Sequence, residues 1–160
     1  MNFSKKAAVF LATGFYVGNI PFAPGTFGSL LGLPLCFFLA GIPWPAAIVA
    51  VALFIGLAVW VSNDAERILK RKDPGCIVID EMAGMMITLV GVPFRMPAVI
   101  SGFVVFRMLD ILKPFPIRRI DQRLSGGVGI VADDVVAGIF ANIITRILLL
   151  IIDSYFRKVV

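Results

Sequence analysis

Asp80-Glu81 interrupts the apolar stretch Ile77-Val78-Ile79-Asp80-Glu81-Met82-Ala83-Gly84, and no basic residue stands inside that octapeptide. Asp133-Asp134 opens the last apolar segment, and Asp64 and Asp110 also adjoin apolar stretches. Carboxylates in such places are costly unless they are paired, neutralised or bound to a cation. Neighbours on a helix point about 100° apart, so each pair would flank a cation or divide its duties between a cation and an adjacent helix. A second reading stays open for both pairs. Acids are favoured by the unsatisfied N–H groups of a helix N-terminus, and an Asp is a common N-cap. Asp64, at a membrane edge, is the weakest of these candidates.

Arg107, Asp110 and Lys113 are spaced three apart and would share one helical face, with Pro114 ending or bending the helix just beyond them. One reading is a local ladder of ion pairs. The other gives Asp110 to a metal and Arg107 and Lys113 to a phosphate, since an arginine fork and a lysine point charge are common phosphate partners. Arg118, in the basic stretch that follows, joins them as a candidate substrate contact. Ala23-Pro24-Gly25-Thr26-Phe27-Gly28-Ser29 reads as a turn followed by a helix start. Thr26 is its candidate cap, and the free N–H groups there could receive an anion. Gly28 and Gly32 equally suit close helix packing.

Absences narrow the chemistry. The chain has no histidine, which excludes phosphohistidine catalysis, Ser-His-Asp triads and His-ligated zinc. Cys36 and Cys76 stand alone without metal-type spacing, and neither has an arginine six positions later. A carboxylate is then the expected general base. Oxygen ligands alone suit Mg2+, which often bridges to phosphate, and nearby basic residues suit a phosphorylated substrate.

The elements that must position these groups read as membrane-type. Of 160 residues, 59% are hydrophobic and 16% charged, and mean hydropathy is +0.97. From Ala7 to Asn63 there is not one Asp, Glu, Lys or Arg. A crossing takes roughly 20 apolar residues, so this run has room for two. Its early glycines and Pro21 argue against a removable signal peptide. Apolar segments are expected at Phe27–Ile42 (with Pro34 inside), Ala46–Ser62, Ile77–Phe94 and Ala98–Leu109. Turns separate them at Gly41–Pro45 and Pro93–Pro97. A glycine-rich loop, Ser125–Gly129, leads to a final helix at about Asp133–Tyr155. The shorter segments are marginal as spans and could be core helices instead. Basic stretches at Lys5-Lys6, Arg67–Lys72 and Lys113–Arg123 would face the cytoplasm, and attraction to anionic lipid accounts for the net charge of +5. No nucleic-acid reader motif appears.

Four ordered blocks of residues carry a family likeness. They are Ala12-Thr13-Gly14-Phe15 with Ala23–Ser29; Asp73-Pro74 with Val78-Ile79-Asp80-Glu81 and Gly84; Phe106-Arg107 with Asp110–Ile117; and Gly126-Gly127 with Asp133-Asp134 and Ala137-Gly138. On these blocks the chain resembles the phosphatidylglycerophosphatase A family of bacterial membrane phosphatases. Phe115 stands where tryptophan is frequent in the family. The resemblance implies an all-helical fold and Mg2+-dependent removal of the terminal phosphate of phosphatidylglycerophosphate. It does not by itself say which carboxylates bind metal.

The expectation is an all-α, compact multi-helix bundle embedded in the membrane, a single domain over residues 1–160. Asp80, Glu81, Asp110, Asp133 and Asp134 are the candidate Mg2+ ligands, with Asp80, Asp110 and Lys113 catalytic. Thr26, Arg107, Lys113 and Arg118 are the candidate substrate contacts. The expected partners are a phospholipid substrate and the membrane, without nucleic acid, and the oligomeric state is open. The expected place is the bacterial cytoplasmic membrane with the site facing the cytoplasm. A non-catalytic membrane cation binder or transporter is the alternative. A CDP-alcohol phosphotransferase is disfavoured, because the Asp-Gly-x-x-Ala-Arg element is missing.

Overall fold

The computed structural model describes residues 3–159, with side chains described over residues 5–155. Among the described residues every regular element is helical. They are α1 (Phe3–Ala12), α2 (Pro24–Ala40), α3 (Trp44–Leu69), α4 (Ile79–Leu89), α5 (Met96–Leu112), α6 (Ile117–Arg123) and α7 (Gly126–Val159), with a 3-10 turn at Val17–Asn19. Helices α2, α3 and α5 each begin with a proline in the first turn, where its missing N–H has no helical partner to lose.

Helices α3 and α7 are long and apolar enough to cross a bilayer. Their outward faces are apolar: Leu53 is 71% exposed, Trp60 64% and Leu150 70%. Water would charge heavily for such surfaces, whereas lipid would not. The two helices run antiparallel. Gly127 of α7 packs on Val59 and Asn63 near the end of α3, while Asn142 and Arg146 share a cavity with Trp44 and Ile48 at its start. Helix α5 is antiparallel to α7 as well, since Arg95 pairs with Asp153 at one end and Lys113 with Asp133 at the other.

At the centre lies α4. Every residue from Ile79 to Leu89 is buried except the half-buried Glu81, and α2, α3, α5 and α7 all pack on it. Eleven residues rise only about 16 Å, so the Ile77–Phe94 segment is a core helix and too short for a span. Close packing comes from small residues. A Cβ on Gly28 would stand 2.7 Å from Val78 Cβ, and one on Gly138 would stand 2.6 Å from the Gly84 carbonyl oxygen. The packing reading of Gly28 and Gly32 therefore holds, as a Cβ on Gly32 would also crowd Met85 Cβ at 3.0 Å and the Met82 carbonyl oxygen at 3.1 Å. These contacts run α2, α4 and α7 in the same direction, so their N-termini gather at one end of the bundle with the C-terminus of α5.

Two boundaries differ from the sequence expectation. Helix α7 begins at Gly126, so the glycine-rich stretch is helical where a loop was expected. Glycine there is selected by closeness to α3: a Cβ on Gly127 would collide with the Val59 carbonyl oxygen. Helix α3 likewise continues past its apolar part to Leu69 and carries Asp64, Glu66 and Arg67 beyond the hydrophobic stretch.

Candidate active site

The end where the three N-termini meet holds a cleft of about 360 Å³. Its walls come from the start of α2 (Ala23 to Thr26), the loop before α4 (Asp73, Gly75, Ile77), the first turn of α4 (Asp80, Glu81), the last turns of α5 and the early part of α7 (Ile130, Asp133, Asp134). All five candidate metal ligands line it, together with Thr26, Arg107 and Lys113. Arg118 is exposed on α6 and is not among the lining residues.

The carboxylates converge in two overlapping triads. Asp80, Glu81 and Asp134 offer oxygens that all lie within 4.8 Å of one another, and so do Asp110, Asp133 and Asp134. Asp80 is 9% exposed, Asp133 5% and Asp134 2%. Asp80 Oδ1, Glu81 Oε2, Asp133 Oδ1 and Asp134 Oδ1 are buried and accept no hydrogen bond among the described residues. Buried carboxylate oxygens without donors are unfavourable, and a cation among them would offset that cost. With no histidine, the donors are all oxygen, which suits Mg2+. The residues present thus fit such an ion.

The basic groups are held at the rim. Arg107 pairs with Asp110 Oδ2 at 2.7 Å and donates to Ser29 Oγ at 3.3 Å, while its Nε is buried and unpartnered among the described residues. Lys113 donates to Asp121 Oδ1 and pairs with Asp133 Oδ2, both at 2.7 Å. Burial opposes the Lys113 charge, but its hydrogen bonds to Asp121 and Asp133 outweigh that and hold the ammonium well above the usual lysine range. It stays protonated through the physiological range. Asp73, in the loop before α4, is pushed up by burial; Lys113 and Lys72 act against this, and the negative charges of Asp121 and Glu66 add to it. The six carboxylates that line the cleft, Asp73 among them, and its two cations leave a formal excess of four negative charges when all are ionised. An anionic phosphate would be repelled until divalent cation offset that excess.

Several local readings are corrected by the geometry. Asp133 and Asp134 lie well inside α7, which starts at Gly126, so neither caps it. Ala23, in the left-handed region at φ 46, is the N-cap residue of α2, and Thr26 sits inside the first turn. The ladder of three is only half formed. Arg107 and Asp110 pair, but Lys113 is the left-handed C-cap of α5 at φ 43, which swings its side chain away from Asp110 to α6 and α7. Asp80 and Glu81 do occupy the first turn of α4, so the N-terminal reading and the cation reading hold together.

Gly25 and Ser29 entered only within the Ala23–Ser29 turn; Asp121 and Asp73 were not singled out from sequence as parts of the site. Gly25 lies over it so closely that a Cβ there would collide with Glu81 Oε1 and come 3.0 Å from an Arg107 nitrogen. The available signals were Asp73-Pro74 and the Pro-Gly-Thr turn, both within the recognised blocks. Nothing local marks Asp121, because its role depends on how α6 folds back on Lys113.

A family model described as Phosphatidylglycerophosphatase A matches residues 10–149. Phosphatidylglycerophosphatase A of Escherichia coli K12 is 41% identical over 132 residues, covering 82% of this chain and 77% of that protein. The Haemophilus influenzae protein of the same name is 39% identical over 136 residues, covering 84% of this chain and 83% of its own length. A Bacteroides thetaiotaomicron protein, named provisionally as a phosphatidylinositol-3-phosphatase, is 38% identical over 148 residues, covering 87% and 91%. No solved structure matches the chain.

Proposed function

The chain belongs to the phosphatidylglycerophosphatase A family, and from that premise we propose that it hydrolyses phosphatidylglycerophosphate to phosphatidylglycerol and inorganic phosphate, with Mg2+, at the cytoplasmic face of a bacterial inner membrane. The observation that carries the Mg2+ part is the set of buried, donor-less carboxylate oxygens beside two basic side chains in one cleft. Asp80 and Glu81 from α4, Asp110 from α5 and Asp133 and Asp134 from α7 would hold the ion. When bound, it supplies positive charge to the phosphate oxygens.

The rest falls to the chain's own groups. Lys113, kept protonated by Asp121 and Asp133, places a fixed positive charge at the cleft rim and stabilises charge on the transferring phosphoryl group. Arg107, anchored by Asp110, directs its remaining donors inward. The Thr26 and Phe27 N–H groups already donate to the Ala23 carbonyl, so what α2 offers an anion in the same space is the positive end of its dipole. In hydrolysis the oxygen of water bonds to phosphorus, the P–O ester bond breaks, and the departing glycerol oxygen takes up a proton. The proton lost by water needs an acceptor. Without histidine and with Lys113 held charged, the carboxylates supply it, Asp80 and Asp110 foremost.

The test is phosphate release by the purified full chain in micelles of phosphatidylglycerophosphate, with Mg2+ and after chelation. Release that stops on chelation, resumes with Mg2+ and falls to near background in both Asp80→Asn and Asp110→Asn is expected. Near-normal Mg2+-dependent release by both variants would overturn the site assignment. Phosphatidylinositol 3-phosphate in a parallel assay separates the two substrate names found among the relatives.

A further inference from the structure

We propose that the cleft is a two-cation site in which Asp134 is shared, an inner ion taking Asp80, Glu81 and Asp134 and an outer ion taking Asp110, Asp133 and Asp134. This rests on the metal-dependent reading above and deepens it by number and by the division of ligands.

Three observations carry it. First, the ligand atoms form two triads, each internally within 4.8 Å, and Asp134 is the one residue common to both. A carboxylate can give one oxygen to each of two ions, and ions in such sites stand roughly 3.5–4 Å apart, about the span of one bridging carboxylate. Second, donor-less buried oxygens occur on both sides of Asp134. Asp80 Oδ1 and Glu81 Oε2 belong to the inner triad and Asp133 Oδ1 to the outer, while Asp134 itself is 2% exposed with Oδ1 unpartnered among the described residues. A single ion in either triad would leave at least one such oxygen of the other without a partner. Third, the charges balance for two. The six carboxylates that line the cleft, Asp73 included, with Arg107 and Lys113 carry a formal excess of four negative charges. One divalent ion leaves two of these, and a second cancels them, so that a phosphate is no longer repelled.

The two halves are not equivalent. The two ion pairs that involve these carboxylates among the described residues fall on the outer triad, Arg107 on Asp110 and Lys113 on Asp133. Those carboxylates are already partly neutralised, so the outer ion binds more weakly. Asp80 and Glu81 have no basic side chain in an ion pair with them among the described residues, and the inner ion binds more tightly.

Mn2+ titration of the purified full chain, followed by electron paramagnetic resonance, tests this apart from turnover. The expected result is two Mn2+ per chain in a tight and a weak class, with a spin-coupled spectrum at full loading. Asp110→Asn should retain the tight ion and lose both the weak one and the coupling. Glu81→Gln should weaken the tight class instead. Asp134→Asn should abolish coupling, and a thermal melt on each variant shows that it is folded. Saturation at one Mn2+ in a chain that then releases phosphate would overturn the two-cation arrangement and leave the phosphatase reading standing. So would two ions without spin coupling. Phosphate release with no Mn2+ or Mg2+ bound would overturn the metal requirement itself.

Discussion

Gly138→Ala is the substitution that most directly asks whether helix spacing sets the site. An added Cβ would stand 2.6 Å from the Gly84 carbonyl oxygen and 3.0 Å from Ile87 Cβ. Ordinary contact begins at 3.4 Å, so α4 and α7 must part by about 0.8 Å at this crossing. The nearest atom is backbone, and trimming Ile87 would not relieve it. Overpacking of this kind costs about 1–3 kcal/mol. Gly138 lies one helical turn beyond Asp134, and the same crossing sets the distance from Asp134 to Asp80 and Glu81. A misplacement near 1 Å at reacting groups costs on the order of 100-fold in rate. The expected outcome is a chain that folds, melts a few degrees lower, and loses about 10- to 100-fold in kcat together with part of its cation affinity. Phosphate release well below the melting temperature, melting in detergent and Mn2+ titration measure the three effects separately. Gly56→Ala in α3 is the control, since a Cβ there meets nothing within 4 Å. Wild-type kcat and cation affinity in Gly138→Ala would refute the claim that this crossing positions the carboxylates.

Lys113→Met removes the partner of both Asp121 and Asp133. It should lower kcat about 100-fold, as loss of a transition-state charge partner does, and destabilise by about 1–3 kcal/mol through the unpaired Asp133. Asp121→Asn should lower kcat less, because Lys113 then keeps Asp133; steady-state kinetics on the two variants decides the order. Asp73→Asn probes a carboxylate raised by burial. In the folded chain Asp73 holds its proton more tightly than in the unfolded chain, so its ionisation opposes folding above the folded pKa. That opposition fades as pH falls to the ordinary value of 3.8. The variant should therefore melt higher than the wild type at neutral pH, with the gain vanishing toward pH 4; an equal gain at both pH values would contradict the burial argument.

Much of the site was legible because its chemistry is unusual for its surroundings. Carboxylates beside apolar runs stand out, and Asp80, Glu81, Asp110, Asp133 and Asp134 all reached one cleft. The apolar character of α3 and most of α7 was legible for the same reason. What failed were inferences from local grammar. Glycines at 126, 127 and 129 looked like a loop, but glycine here answers the nearness of α3 and of the preceding chain, which no local pattern encodes. That error moved the start of α7 and made Asp133 and Asp134 look like caps. The spacing of Arg107, Asp110 and Lys113 gave one correct pair. It could not show that α5 ends in a left-handed residue at Lys113, which turns the lysine toward Asp121. Ile77–Phe94 was apolar enough for a membrane, yet burial by four neighbouring helices explains its composition equally well.

Helix lengths account for how so acidic a site coexists with so apolar a bundle. From Trp44 to Ser62, α3 is uncharged and rises about 28 Å, close to the roughly 30 Å of hydrocarbon in a bilayer. The residues beyond it carry Asp64, Glu66 and Arg67. Helix α7 runs the other way, and its Gly127 packs on Val59 and Asn63, so Asp133 and Asp134, about 10 Å further along α7, stand beside the second half of that uncharged stretch. Asp64 and the acidic cluster therefore do not share one level: the cluster lies about 10 Å nearer the middle of the bundle. Helix α4 starts at that level because Gly84 meets Gly138 one turn in from each acidic pair. The carboxylates are thus buried in protein but line the cleft at the gathered helix ends, through which a cation would enter. Deeper placement would add the full desolvation of a charged cluster. A placement further out would lose the oriented N-termini of α2 and α4 that favour an anion in the cleft.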